Sequence, residues 1–130
     1  MEPCLDTDPA LLDVLEELRR LEPIFHRPER GTRREDFERM TEADFWEVGA
    51  SGQRYSRNYV LGVLDARHGH IGDAFWQTSD FRCQSIAPDN HLLTYTLAQS
   101  TRTTRRATIW RRTADGWKIV YHQGTIVAPT

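Results

Sequence analysis

Few side chains in this sequence have the type and spacing to do chemistry. Glu47 stands in a short apolar run, Phe45-Trp46-Glu47-Val48, with Asp44 just before it. A carboxylate held in an apolar cavity loses hydration, and its pKa climbs toward the range that suits a general base. The same carboxylate on a solvated strand, or paired with Arg54 or Arg57 in the following turn, would keep ordinary behaviour. Glu47 shares a strand face with Phe45, and Trp46 shares the other with Val48. Both faces are half apolar, so parity leaves the direction of Glu47 open. His68, His70 and Asp73 could hold a metal weakly, but His26, His91 and His122 are scattered and no cysteine pair or H-E-x-x-H spacing supports them. No metal is expected. Cys83 has no evident histidine partner, and neither G-x-S-x-G nor G-x-x-x-x-G-K-[ST] occurs. Nucleophilic catalysis and a bound cofactor are therefore not expected.

A second group of candidates comes from the parity of the last two predicted strands. If Asp115-Gly116 is a two-residue hairpin loop, Ala114 faces Trp117, Trp110 faces Tyr121 and Thr108 faces Gln123. Trp110, Thr108, Arg106, Trp117, Ile119, Tyr121 and Gln123 then share one face, the better candidate for a pocket wall. Lys118, Val120, His122, Arg105, Ala107, Ile109 and Arg111 take the other, where Val120 and Ile109 could centre a dimer contact. Arg106 is placed to pair with Glu47 or to anchor an acidic ligand. In the preceding hairpin Gln84 would face Tyr95, with Arg82, Ile86, Leu93 and Leu97 on their side.

The elements that must position these residues follow from local signals. Asp8-Pro9 is a helix start, and Leu11, Val14, Leu15, Leu18, Leu21 and Phe25 recur as one apolar stripe, with Pro23 kinking or ending the helix. Thr32 and Glu35 have capping-box spacing ahead of a short helix that carries Phe37 and Met40 inward. Phe45–Val48 reads as a short strand and Gly49-Ala50-Ser51-Gly52 as a turn. Ser56 can cap a third helix whose inner side holds Val60, Leu61 and Leu64. Residues 68–72 read as loop. Four strands are expected over 75–87, with a break near Ser79, and over 91–99, 103–113 and 117–126; Pro88-Asp89-Asn90 and Ala114-Asp115-Gly116 mark hairpins. Helices followed by a strand meander give a segregated α+β fold, with three N-terminal helices on a mostly antiparallel sheet.

The chain has 130 residues, 38% hydrophobic and 28% charged, with a mean hydropathy of -0.64. This suits one globular domain spanning 1–130, with 1–7 as a flexible tail. No apolar run approaches the roughly 18 residues that span a bilayer. The acidic start lacks the build of a secretory signal, and two cysteines make a poor disulfide framework, so a cytoplasmic location is expected. Residues 1–65 carry 15 acids and 9 bases, and residues 66–130 carry 4 acids and 8 bases. An acidic helical half against a basic sheet half accounts for this, and a pI near 6.2 gives no general attraction to nucleic acid.

Phe45-Trp46-Glu47-Val48-Gly49-Ala50-Ser51-Gly52, then Tyr55-Ser56-Arg57, resembles the strand-and-turn signature of the uncharacterised bacterial SnoaL-like branch of the nuclear transport factor 2-like superfamily. Ile109-Trp110-Arg111-Arg112 and Gly116-Trp117-Lys118-Ile119-Val120-Tyr121-His122-Gln123-Gly124-Thr125 resemble the same branch. The resemblance covers about residues 8–128 and implies a cone-shaped fold with a curved, cystatin-like sheet. Relatives include ketosteroid isomerase, cyclases, dehydratases and non-catalytic association domains. The isomerase needs a base on the first strand, where this chain has Glu47 and Asp44, plus a tyrosine on the first helix and a protonated acid on a middle strand. The first helix has no tyrosine, and no acidic residue lies between Asp89 and Asp115. Steroid isomerisation is therefore not expected.

The expected pocket is lined by Phe25, Trp46, Tyr55, Tyr95, Arg106, Trp110, Tyr121 and Gln123, with Glu47 as the candidate catalytic group. It would take a small apolar or weakly acidic molecule, and a homodimer would form through the convex sheet face. Two alternatives stay open: an isomerase, cyclase or dehydratase using Glu47 or Asp44 as base, and a dimeric interaction module whose cavity is filled by its own side chains.

Overall fold

The computed structural model describes residues 1–70 and 75–129. Asp73, considered above as a metal ligand, lies outside the described residues. Asp8 starts the first helix as its type predicts: its carboxylate accepts from the Ala10 amide at 2.9 Å. One tight turn, Pro9–Leu11, leads into α1, Leu12–Arg19. Leu18 is fully buried, and Val14 and Leu15 pack against the core. α1 ends before Leu21 and Phe25, so the apolar stripe continues on the following loop rather than along one helix. In α2, Arg34–Met40, it is Asp36 and not Glu35 that reaches back, accepting from the Arg33 amide at 3.0 Å. The capping role thus falls one residue later than the Thr32–Glu35 spacing implied. Phe37 and Met40 are buried, as expected. Ser56 caps α3, Arg57–Ala66, accepting from the Tyr59 amide at 3.2 Å, and Val60, Leu61 and Leu64 turn inward.

Six strands form one sheet: β1 (Thr41–Val48), β2 (Arg54–Ser56), β3 (Trp76–Ala87), β4 (Asn90–Gln99), β5 (Thr103–Thr113) and β6 (Gly116–Ile126). Their order is β2-β1-β6-β5-β4-β3, with only β1 and β6 parallel. Three helices in the N-terminal half, the third following β2, pack on a mostly antiparallel sheet, the expected α+β arrangement, with one sheet face under the helices and the other open. β1 begins at Thr41 rather than Phe45, and β2 was not anticipated. The irregularity expected near Ser79 is a register shift between Ser79 and Arg82, where Asp80 adopts φ 60°. At the outer edge of β3 the Cys83 amide donates to Thr7 Oγ1 at 3.1 Å. Among the described residues no helix is long and apolar enough to cross a membrane.

Two register expectations are corrected. The last hairpin turns on Ala114-Asp115, so that Thr113 pairs Gly116 and Trp110 pairs Ile119. That shift alone would keep Tyr121 on the Trp110 face. A bulge at Val120 then inserts one unpaired residue, because Ile109 pairs Tyr121 and Thr108 pairs His122. One extra residue reverses every side chain beyond it. Tyr121 and Gln123 therefore leave the helix-covered face, and His122 and Gly124 enter it. The β3–β4 hairpin turns on Pro88-Asp89, with Asp89 at φ 61°. Cys83 faces Leu93 and Arg82 faces Thr94, so Arg82 lies on the open face and Ile86 is exposed. Tyr95, Leu93 and Leu97 point under the helices with Trp110 and Ile119.

Candidate functional site

The helix-covered face is not filled throughout. A cleft of about 310 Å³ opens between α3, the β1–β2 corner and β5. Its apolar wall comes from Ile24 and Phe25 on the loop after α1 and from Val60, Val63 and Leu64 on α3. Its polar groups are Glu47 from β1, Tyr55 from β2, Tyr59 from α3 and Arg67 just past its end, Arg106 from β5, and His26 and Arg102 from loops. Phe25 holds the left-handed backbone region, φ 64°, at a cost of about 1–2 kcal/mol for a residue with a Cβ. Edge-on contacts with Phe37 at 5.8 Å and Phe45 at 6.2 Å hold its ring there. Tyr55 stacks on Tyr59 with ring centres 5.2 Å apart and donates to Gln53 Oε1 at 3.1 Å. Gly49 makes this placement possible, since a Cβ there would stand 2.9 Å from the Tyr55 ring.

β1 settles the direction that parity left open. Phe45 is buried, Glu47 is half-buried on the same side, and Glu47 lies opposite Tyr55 on one flank and His122 on the other. Burial pushes the Glu47 carboxyl above its ordinary range, while Arg106 and then Arg67 pull it back. No side chain among the described residues donates a hydrogen bond to it. Behind it, His122 is buried and shares a 2.8 Å hydrogen bond through Nδ1 with Thr108 Oγ1. Burial first, then the charge of Arg106 and the neighbouring His26, holds His122 well below the usual histidine value, so it is neutral.

Beneath the cleft floor lies a second carboxylate, Glu22, 0% exposed. It accepts from the Tyr95 hydroxyl at 2.7 Å, Trp110 Nε1 at 3.0 Å and the Ile24 amide at 3.0 Å. Burial, and the negative charge of Glu22 beside it, raise the Tyr95 hydroxyl well above its ordinary value. Tyr95 and Trp110 thus occupy the core below the cleft.

Of the residues named from sequence, Phe25, Glu47, Tyr55 and Arg106 meet at the cleft. Trp46, Tyr121 and Gln123 do not: Trp46 is 44% exposed on the open face, its ring 4.8 Å from that of Tyr121, which donates to Gln123 at 2.7 Å. Asp44 is exposed as well. Cys83 is buried, and its thiol is pushed up to about 11 by that burial, which removes the thiolate a nucleophile needs. No group of three or more His, Cys, Asp or Glu converges among the described residues.

Glu22 and the α3 row were not read from sequence, yet both left signals. Glu22 follows Leu18 by four residues and Leu15 by seven, so it continues the buried stripe where a carboxylate needs partners. Tyr59, Val63 and Arg67 are spaced by four, a second helix row beside Val60 and Leu64.

No family model matches the chain, and no curated protein does. Solved structures match over nearly the whole length. One is a nuclear transport factor 2-like protein of unknown function in nutrient uptake from Rhodospirillum rubrum, 20% identical over 90% of this chain and 98% of that one, TM-score 0.66. An uncharacterised protein with a cystatin-like fold from Caulobacter vibrioides is 17% identical over 88% and 89%, TM-score 0.68. A candidate ketosteroid isomerase from Parabacteroides distasonis is 17% identical over 95% and 96%, TM-score 0.67. Identity this low carries no activity across, but agreement in topology over both whole chains does carry the architecture: the chain has the fold of the nuclear transport factor 2-like superfamily.

Proposed function

We propose that this chain binds a small molecule, apolar or weakly acidic, in the cleft beneath α3. One observation carries the reading: Glu47 and Arg106, from strands separated by β6, meet at the wall of an open cavity otherwise faced by Ile24, Phe25, Val60 and Leu64. Two opposite charges beside apolar surface can orient a ligand whose body fills the cleft. The open volume favours a ligand over a cavity filled by the protein's own side chains. The test is a fragment panel followed by methyl NMR, which should shift the signals of Ile24, Val60, Val63 and Leu64. A panel that leaves all of these still while the protein remains folded refutes the reading.

A second reading, an isomerase, cyclase or dehydratase, is favoured by the raised Glu47 carboxyl, with Tyr55, its cross-strand partner in the same cleft, as the acid. Since Asp44 is exposed, Glu47 alone is left as the base. Any turnover found should lose its pH dependence in Glu47→Gln. For the open face we propose a homodimer contact centred on Trp46, Tyr121 and Ile109, in place of Val120 and Ile109; Trp46→Arg should then shift sedimentation to the monomer. A reducing cytoplasm suits two cysteines that are both free.

A further inference from the structure

We infer that the cleft selects an organic monoanion, a carboxylate on an apolar body, and that Arg102 and Arg67 at its mouth take the carboxylate. The inference rests on reading the cleft as a binding site. It starts from where the arginines go. Arg19, Arg27, Arg34, Arg39, Arg105, Arg111 and Arg112 each form an ion pair with a carboxylate. The other nine form none among the described residues, and three of those nine, Arg67, Arg102 and Arg106, line the one cleft.

Three guanidinium groups there face a single carboxylate, Glu47. Arg106 and Arg67 act on Glu47, and the charge of Arg102 is not among those that do. Arg106 also keeps its Nε buried without a partner. Arg106 is engaged by the Tyr95 hydroxyl as well. Arg67 and Arg102 are therefore the cleft guanidinium groups with no hydrogen-bond partner among the described residues, and a ligand carboxylate can satisfy them with paired N–H donors.

The backbone fixes where that field is presented. The Gln99 amide donates to the Arg102 carbonyl at 2.8 Å, which closes the β4–β5 turn and sets Arg102 at the rim. Arg67 caps the end of α3 across the opening. The remaining lining argues for the rest of the ligand. Ile24, Phe25, Val60, Val63 and Leu64 offer apolar contact. No glycine lines the cleft, so it has no backbone amide cradle of the kind that holds a phosphate, and the Glu47 carboxylate disfavours a dianion.

The experiment uses a matched pair of probes, 4-phenylbutanoate and 4-phenylbutanamide, titrated into the full chain by calorimetry, with methyl NMR to report the location. The carboxylate should bind at the Val60 and Leu64 methyls at least about tenfold more tightly than the amide. Arg102→Gln should erase that ratio, and Arg67→Gln, a second exposed position, should reduce it. Equal binding of both probes at those methyls overturns the anion inference and leaves the cleft reading standing. Binding of neither probe overturns both, and binding of the carboxylate that moves other signals overturns this inference alone.

Discussion

Glu22 and Glu47 are two carboxylates under the same helices, and they are treated in opposite ways. Glu22 is sealed from solvent and accepts from three donors. Glu47 is half in water, accepts from no described side chain, and meets its arginines only across the cleft. A fully satisfied buried charge fixes neighbouring side chains and has no capacity left for a ligand. A partly desolvated one without donors costs stability and keeps its lone pairs available. The difference separates a structural carboxylate from a functional candidate, and local sequence does not reveal it.

The largest effect should come from breaking the sealed site. Glu22→Ala leaves the Tyr95 hydroxyl, the Trp110 indole and the Ile24 amide without their acceptor and opens a hole, so we expect a loss of about 3–5 kcal/mol in urea unfolding. Glu47→Ala should stay within about 0.5 kcal/mol. Similar losses for the two would abolish the distinction. Next comes Tyr95→Phe, which removes one donor while keeping the ring stacked on Phe81 at 4.9 Å. Its cost should be about 1.5–3 kcal/mol, the range for a hydrogen bond to a charged group, and it should be markedly non-additive with Glu22→Ala.

How far the sequence could be read follows the same division. The order of elements was legible because caps and periodicity are local: Asp8, Ser56 and the apolar rows on α2 and α3 act within a few residues. Arg106 was legible because the bulge lies in β6 and leaves the alternation within β5 unbroken from Trp110 to Arg106. Tyr121 and Gln123 were misplaced because a bulge is one residue with no distinctive composition, and it inverts all that follows. Trp46 fell to the open face because β1 has apolar residues on both sides. Glu22 went unread because its partners, Tyr95 and Trp110, lie 73 and 88 residues away.

A smaller effect should come from Gly49→Ala. The new methyl would stand 2.9 Å from the Tyr55 ring and must displace it from Tyr59. Stability should fall by about 1 kcal/mol or less. The Tyr55 ring signals should move while those of Tyr95 stay fixed, since only the cleft is disturbed.

The smallest effect, and the sharpest on Glu47 itself, is the pH dependence of stability. Burial raises the Glu47 carboxyl above its ordinary range in the folded chain. Between the ordinary value and the raised one, the folded state holds a proton that the unfolded state has lost, so stability falls as pH rises through that window. Glu47→Gln removes the term: at neutral pH the variant should be as stable as the parent or slightly more so, and the gap should close as pH falls to the ordinary carboxylate range. His122 works in the opposite sense. Its folded value is depressed, so the unfolded chain takes up a proton first and stability is lost as pH falls below the usual histidine value of about 6.5. Urea unfolding across acid and neutral pH separates the two, because His122→Gln should flatten only the histidine slope. If Glu47→Gln tracks the parent in parallel throughout, Glu47 is solvated like any surface acid, and its contrast with Glu22 reduces to a difference in depth alone.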